Sequence, residues 1–308
     1  MTAVETAPAQ QRARSVRRPA AGGGGRARRP SVVLTVMLLG LLAYFFVPLA
    51  WLLINSTKST TGLFESFGLW FASDFYLFEN VRDTLTYDGG IYGRWFLNTV
   101  LYAVVGAGGA AMLAALGGYG VAKFDFPGRR ALLAVVLGAV MVPATALAIP
   151  TYLLLSSVEL VDTPFAVIIP SLASPFGLYL MWIYTASAVP DELLEAARID
   201  GAGELRIFWS VAMRLLAPGF VTVLLFQLVH VWNNYFLPLI VLNSPAWYPL
   251  TVGLKQWNSQ AYATGGGSQP VFTLVITGSL LAIIPLIAVF LVLQRYWQSG
   301  LAMGGVKQ

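Results

Sequence analysis

Six stretches of the chain are apolar throughout and free of formal charge: Val32–Ile54, Phe96–Val121, Ala131–Leu155, Pro164–Tyr184, Leu216–Ile240 and Val271–Leu293. A bilayer core about 30 Å thick needs about 20 apolar residues in helical form, and each stretch is long enough. The pattern predicts an all-α polytopic membrane protein with six transmembrane helices. Six core helices of one large soluble protein fit less well, because core helices average about three turns. Gly106, Gly108, Gly109, Gly117, Gly118 and Gly120 crowd the second stretch. Small residues let helix backbones approach closely in lipid, so close packing is preferred here to a gating hinge. The third stretch carries Pro143 and Pro150, and the fourth carries Pro170 and Pro175. Proline removes a backbone hydrogen bond, and the freed carbonyl needs a partner in protein or a wet cavity. Both helices should bend, either as static kinks or to line a pathway.

The segments between the stretches differ in character. Residues 56–95 mix Phe, Trp and Tyr with acidic residues, which suits a folded loop at the membrane interface. Residues 190–218 form an amphipathic segment. Pro190 fits the first turn of a helix, with Asp191, Glu192 and Glu195 near its positive end. Leu194, Ala197 and Arg198 recur at helical spacing, and Gly201 is placed to stop the helix in a left-handed conformation. A second helix should bury Leu205, Phe208, Trp209, Ala212 and Leu216 on one face. The pair makes either a compact knob for a partner or a hairpin lying on lipid headgroups.

In the fifth stretch Gln227, His230 and Asn234 fall at i, i+3 and i+7, one polar face. Such residues usually face the bundle interior or water: they are hydrogen-bond glue between helices or contacts to a polar solute. The loop over 241–270 holds Trp247, Tyr248, Trp257 and Tyr262, followed by Gly265, Gly266 and Gly267. Its rings could reach a partner, stack on a sugar or anchor at the interface.

Composition agrees with a lipid solvent. Charged residues make up 11% of the chain, against about 25% in soluble domains. With the N-terminus inside, fifteen of the nineteen Lys and Arg residues are cytoplasmic, and only Lys58, Arg82, Arg94 and Lys255 are outside. This fits the positive-inside rule with both termini in the cytoplasm. Residues 1–30 contain seven of the arginines and few apolar side chains, and read as a disordered tail that fixes topology and attracts anionic lipid. The basic balance follows the membrane and does not point to nucleic acid. There is no cysteine.

Several chemistries are missing. None of the four lysines follows a glycine, so no phosphate-binding loop is present. No G-x-S-x-G or H-E-x-x-H occurs, a single histidine offers no metal cluster, and no carboxylate lies within a span. The last absence weakens an ion-driven transporter, which commonly uses buried Asp or Glu. The residues describe a passive conduit that borrows energy.

The stretch Glu195-Ala196-Ala197-Arg198-Ile199-Asp200-Gly201-Ala202, followed by Phe208 and Pro218, resembles the EAA loop of permease subunits of binding-protein-dependent ABC importers. Asn98-Thr99 is similar to the residues that open that family's core. Phe124-Asp125-Phe126-Pro127-Gly128 resembles its cytoplasmic turn, and Met141-Val142-Pro143 and Ile149-Pro150 stand at its proline positions. Trp232-Asn233-Asn234-Tyr235-Phe236-Leu237-Pro238-Leu239, Pro249 to Leu254 and the final QRYWQSGLAMGGVKQ resemble the carbohydrate branch, in particular the maltose-type second permease. Arg214 stands in place of a usual proline, Glu159 in place of a glycine, and Gly118 and Gly120 in place of alanines.

The resemblance implies a type I ABC importer permease fold in the bacterial cytoplasmic membrane. Residues 1–30 would be the tail, 31–94 the first helix and external loop, 95–294 the permease core with its coupling loop at 190–218, and 295–308 a cytoplasmic tail reaching toward the ATPase pair. Glu195, Ala196, Ala197, Asp200, Gly201 and Ala202 would dock on a cytoplasmic ATPase. Trp247, Tyr248 and Trp257 would touch an extracytoplasmic solute-binding protein, and Gln227, His230 and Asn234 would line the path. Implied partners are a second, non-identical permease, two ATPase subunits that use ATP and Mg, the binding protein, a sugar and the bilayer. This chain would itself be non-catalytic and hold no cofactor. Competing readings are a self-sufficient secondary transporter and a membrane scaffold that recruits a cytosolic enzyme.

Overall fold

The computed structural model describes residues 31–263 and 271–304, with side chains to residue 294. The basic tail at 1–30, the glycines Gly265, Gly266 and Gly267, and residues 305–308 lie outside the described residues. The chain divides into two units, one up to Val47 and one from Pro48 onward. In the first, residues 32–47 are helical and exposed on every side. They belong to α1, Val32–Ser56. A helix apolar all round is built for lipid or for burial against other protein.

In the second unit, a short helix α2 (Thr60–Glu65) and α3 (Leu77–Thr86) precede a left-handed turn at 87–90. Helix α4 covers residues 91–123, with a π-helical turn at Tyr102–Ala107. Then come α5 (Arg129–Val140), α6 (Ala148–Ser157), α7 (Phe165–Leu172), α8 (Pro175–Ala188) and α9 (Asp191–Ile199). Helix α10 spans Glu204–Trp232, followed by α11 (Phe236–Val241), α12 (Leu250–Ala263) and α13 (Val271–Gly304). No strand occurs among the described residues.

Five helical runs are long and apolar enough to cross a membrane: Val32–Ser56, Leu77–Lys123, Phe165–Ala188, Glu204–Trp232 and Val271–Gln294. The third expected span is not one helix. It breaks into α5 and α6 through a turn in which Ala146 N–H donates to the Pro143 carbonyl (3.0 Å) and Leu147 N–H to the Ala144 carbonyl (3.2 Å). Pro143 and Pro150 cannot donate, so the helical ladder cannot run through. The two pieces together keep the apolar length of a sixth crossing. The fourth span likewise breaks between α7 and α8, where Ser174 caps the second piece by accepting the Gly177 N–H at 3.1 Å.

Three packed zones tie the helices together. One joins Ala111, Ala115 and Tyr119 of α4 to Met181, Leu194, Ile207, Phe208 and Leu216. A second gathers Tyr92, Trp95, Trp232, Trp257 and Leu274. A third packs Tyr102 and Ala107 against Leu155, Val167, Val231 and Val241. Helix α4 enters all three. Its contact with α8 is backbone on backbone: a Cβ on Gly118 would lie 2.6 Å from Met181 Cβ and 2.7 Å from Trp182 N. Glycine at this departure from the family pattern is therefore a fit to the neighbouring helix, and packing accounts for it without a hinge.

The segment after α1 is folded. Asn55 Nδ2 donates to the carbonyls of Trp51 (2.7 Å) and Gly68 (2.8 Å). Lys58, fully buried, donates through Nζ to the Phe67 carbonyl at 2.9 Å. Asn80 Nδ2 donates to the carbonyls of Ser56 and Lys58. Burial holds the Lys58 ammonium below its ordinary value.

Candidate functional site

The helix pair at 190–218 is built from a short list of local rules. Pro190 sits at φ −65° just before α9, and Asp191 and Glu192 fill the first turn, where carboxylates face the positive helix end. Leu194 is buried and anchors α9 in the first packed zone. Gly201 stops the helix at φ +79°. Its N–H donates to the Arg198 carbonyl at 2.9 Å, and Ala202 N–H donates to the Ala197 carbonyl at 3.0 Å. This pair of bonds is the Schellman arrangement, which satisfies the last carbonyls of a helix through a left-handed residue.

The turn is then braced by side chains. Arg198 Nε donates to Glu204 Oε1 at 2.7 Å and Nη2 to Oε2 at 3.3 Å, joining the end of α9 to the start of α10. The hydrogen bond to Glu204 raises the Arg198 guanidinium above its ordinary value. Lys123 Nζ donates to the Val189 carbonyl (2.6 Å) and to Asp191 Oδ1 (2.7 Å). The last residue of α4 thus grips the first turn of α9.

The structure brings the six expected contact residues onto this one turn. Glu195, Ala196, Asp200 and Gly201 are exposed, while Ala197 and Ala202 are half-buried. The expected buried face of the second helix needs correction. Ile207, Phe208, Ala212 and Leu216 are buried, but Leu205 is 73% and Trp209 52% exposed. Leu205 sits in the first turn of α10, beside the exposed Gly201 corner, and Trp209 lies inside a π-helical turn at Phe208–Ala212, whose wider turn departs from the 3.6-residue register. Ile199, 86% exposed, and Leu205 flank Gly201 as free apolar side chains. Sequence reasoning passed over them as docking candidates. Their signal was an apolar side chain just beyond each buried stripe.

At the opposite end of α4, one helix face clamps the chain before α12. Arg94 Nε and Asn98 Nδ2 donate to the Ala246 carbonyl at 3.1 and 2.9 Å, and Asn98 Nδ2 also donates to the Tyr248 carbonyl at 3.0 Å. Trp95 Nε1 donates to the Pro245 carbonyl (2.9 Å) and Tyr102 Oη to the Trp247 carbonyl (2.7 Å). Thr99 Oγ1 accepts the Leu250 N–H at 2.8 Å. On the other side of this strap, the Asp162 carboxylate accepts the N–H groups of Asn243 and Ser244, both at 2.8 Å. Asn98 and Thr99 are thus fixed by a structural task. Glu159, where the family pattern has glycine, lies at φ +56°, and Asp162 lies at φ +60°.

Two groups of expected site residues are dispersed. Trp257, expected at a partner surface, is 2% exposed and packed against Tyr92, Trp95 and Tyr87. Trp247 and Tyr248 are half-buried in the strap, with the Arg94 guanidinium 5.4 Å from the Trp247 ring centre. Burial, and then the Asp162 carboxylate, raise the Tyr248 phenol above its ordinary value. The polar stripe Gln227, His230 and Asn234 is broken. Gln227 is buried and donates to Ser174 Oγ. His230 is exposed. Asn234 lies beyond α10, which ends at Trp232, and its carbonyl accepts from Thr251 Oγ1 at 2.8 Å. The fifth apolar stretch, expected as one span to Ile240, is interrupted where the chain turns at 233–235 before α11.

Five helical runs of membrane-crossing length, with a sixth crossing broken near Pro143, make this a multi-spanning membrane protein. The family model of the binding-protein-dependent transport system inner membrane component matches residues 108–302. The arabinooligosaccharides transport system permease protein AraQ of Bacillus subtilis is 34% identical over 280 residues, 91% of this chain and 96% of that protein. The diacetylchitobiose uptake system permease protein NgcG of Streptomyces coelicolor is 30% identical over 281 residues, 90% of this chain and 89% of that one. A solved bacterial ABC transporter involved in the import of the acidic polysaccharide alginate matches with a TM-score of 0.74 at 26% identity, over 86% of this chain and 95% of that chain. The chain belongs to the family of binding-protein-dependent transport system inner membrane components.

Proposed function

We propose that this chain is one permease of an ATP-driven sugar importer. It pairs with a second, homologous permease, receives motion from two cytoplasmic ATPase subunits that use ATP and Mg, and accepts sugar from an extracytoplasmic binding protein. The charge asymmetry supports an orientation with both termini and the α9–α10 turn in the cytoplasm. The strap at 243–248 then faces outward. Relatives named for arabinooligosaccharides, diacetylchitobiose and lactose support an oligosaccharide as the cargo.

The observation that carries the reading is the turn at Gly201. It is a rigid knob: capped by the Schellman bonds, braced by Arg198–Glu204, rooted in the core by Leu194, Ile207 and Phe208, and tied to α4 by Lys123. Glu195, Ala196, Ala197, Asp200, Gly201 and Ala202, with Ile199 and Leu205 beside them, form its docking face. A push on such a knob moves α4, α8 and α10 as packed helices. A loose hairpin on lipid headgroups has no need of these ties.

His230 is exposed one turn after Phe226 on α10, Asn233 is exposed in the turn just beyond the helix, and the Phe226 ring lies 5.9 Å from that of Phe176 on α8. Asn233 Nδ2 is held by the Val229 carbonyl at 2.8 Å, but an imidazole facing hydrocarbon is costly. This face supports a wet pathway shared with the second permease. Gln227 serves as interhelical glue through Ser174.

Reconstitution tests the reading. Uptake of labelled oligosaccharide into proteoliposomes is expected only with both permeases, the ATPase pair, ATP and the loaded binding protein. Uptake by this chain alone under an ion gradient would overturn it.

A further inference from the structure

From Asn55 to Leu85 the chain is folded inside out. Its polar side chains are inside: Asn55, Ser56, Lys58, Asn80 and Thr84 are buried, and each donates to a backbone carbonyl. Its aromatic rings are outside. Phe67, Trp70 and Phe78 are 73%, 70% and 76% exposed, and Phe64, Phe71 and Phe75 are exposed with them. Helix α3 shows the inversion by itself. Asn80 and Thr84, one turn apart, face the protein, while Phe78 and Leu85, two turns apart, face away from it. A segment bathed in water gains from the reverse arrangement. The rings are also held out by their backbone: Lys58 Nζ pins the Phe67 carbonyl and Asn55 Nδ2 the Gly68 carbonyl.

We propose that this segment is a foot resting in the lipid surface, its rings inserted at the boundary between headgroups and acyl chains. Two span ends set its depth. The segment leaves α1 directly at Ser56, and Leu49, Trp51 and Leu53 in the last turns of α1 are exposed. Phe64 stands edge-on to Phe272, the second residue of α13, with 5.5 Å between ring centres. The rings thus lie where two apolar helices meet the membrane surface, the level at which aromatic side chains collect. Charge narrows the partner. Lys58 is buried, so the exposed charges between 57 and 81 are Glu65, Asp74 and Glu79. No exposed cation there draws an anionic headgroup, and the attraction is apolar. A dry protein contact would strip water from the carboxylates between the rings, and the cores of such contacts are poor in charge. A headgroup layer leaves the carboxylates hydrated. Asn80 of α3 holds the Ser56 and Lys58 carbonyls, so the foot fixes the end of α1 at one depth while other helices move. The inference requires that α1 and α13 cross the bilayer and does not depend on the cargo.

The chain has no cysteine, so Phe67→Cys, Trp70→Cys and Phe78→Cys each give a single attachment point for a nitroxide. Each labelled full-length chain is assembled with cysteine-free partner subunits in phosphatidylcholine liposomes. Electron paramagnetic resonance then compares collisions with oxygen, which concentrates in lipid, and with a nickel chelate, which stays in water. At two or more of the three sites the oxygen-to-chelate ratio is expected to exceed that of the free label in water severalfold. Adding loaded binding protein should leave the ratio unchanged. Any lesser result overturns the inference. Chelate-dominated collisions would mean a water-facing loop. Shielding from both reagents would assign the rings to the sister permease, and shielding that appears only with binding protein would assign them to its docking. A second measurement reads the native ring. The emission lost in Trp70→Phe is the contribution of Trp70, and it should be quenched by phosphatidylcholine brominated along its acyl chains. An unquenched Trp70 overturns the inference without reliance on a label.

Discussion

Lys123 and Asp191, 68 positions apart in sequence, meet at 2.7 Å, and the lysine side chain is only 6% exposed while the aspartate is 72% exposed. The ammonium also holds the Val189 carbonyl. Two helices that could slide past each other are thereby joined at the point where α9 begins. Lys123→Met keeps the aliphatic stem but leaves that carbonyl without its donor, a cost of about 1–3 kcal/mol. The expected outcome is a transporter that assembles and hydrolyses ATP but shows weakened stimulation by loaded binding protein. Unaltered stimulation at wild-type expression would mean that the bond transmits nothing.

Gly201 should tolerate little. An added Cβ meets no atom within 4 Å, so space is not the constraint, whereas φ of +79° is. Gly201→Ala is expected to cost about 1–2 kcal/mol in local stability from the left-handed backbone and to reduce uptake partially. Gly201→Pro cannot adopt this φ at all, and should abolish uptake while the protein remains in the membrane. Full uptake by the proline variant at normal ATPase level would sink the coupling role.

Two glycine-related positions predict opposite signs. Gly118→Ala drives a Cβ into the backbone of Met181–Trp182 and should lower stability through overpacking, by about 1–3 kcal/mol. Glu159 is exposed and sits at φ +56°. Glu159→Gly should raise stability by about 1 kcal/mol by releasing left-handed strain. Thermal melts of the two variants in the same detergent or nanodisc check both.

Lys58 predicts a pH dependence. Its folded value lies below the ordinary 10.5 because of burial. Between that lowered value and 10.5 the unfolded chain binds more protons than the folded one, so stability rises with pH in this window. Lys58→Met removes the titration. The stability difference between wild type and Lys58→Met should shift toward wild type as the pH rises toward 10.5. A difference that stays flat, or moves the other way, contradicts the buried ammonium.

Legibility in the sequence followed the range of the forces involved. The stop at Gly201 was readable because its causes are local: acidic residues at one end of α9, a left-handed glycine at the other. The breaks near Pro143 and Pro170 were signalled as bends, since a missing donor acts wherever the helix packs. The π turn at Phe208–Ala212 was not readable, and the assignment of Trp209 to the core failed with it, while Leu205 is exposed because it opens α10 beside the Gly201 corner. Trp257 and Asn234 were misplaced for another reason. Their roles depend on Tyr92 and Trp95 in one case and Thr251 in the other, partners that only tertiary packing supplies. The task of Asn98, holding carbonyls some 150 positions away, left no trace in its neighbours.

The strap at 243–248 has one more consequence. Arg94, Trp95, Asn98 and Tyr102 all grasp carbonyl oxygens, and Asp162 grasps amide hydrogens. Every one of these handholds is main chain: any residue offers the carbonyls, and any but proline offers the amide hydrogens at 243 and 244. The outward-pointing side chains of that segment are therefore free to drift over evolutionary time without loosening its seat. A lineage could retailor this surface to a new delivery protein while inheriting the mounting unchanged.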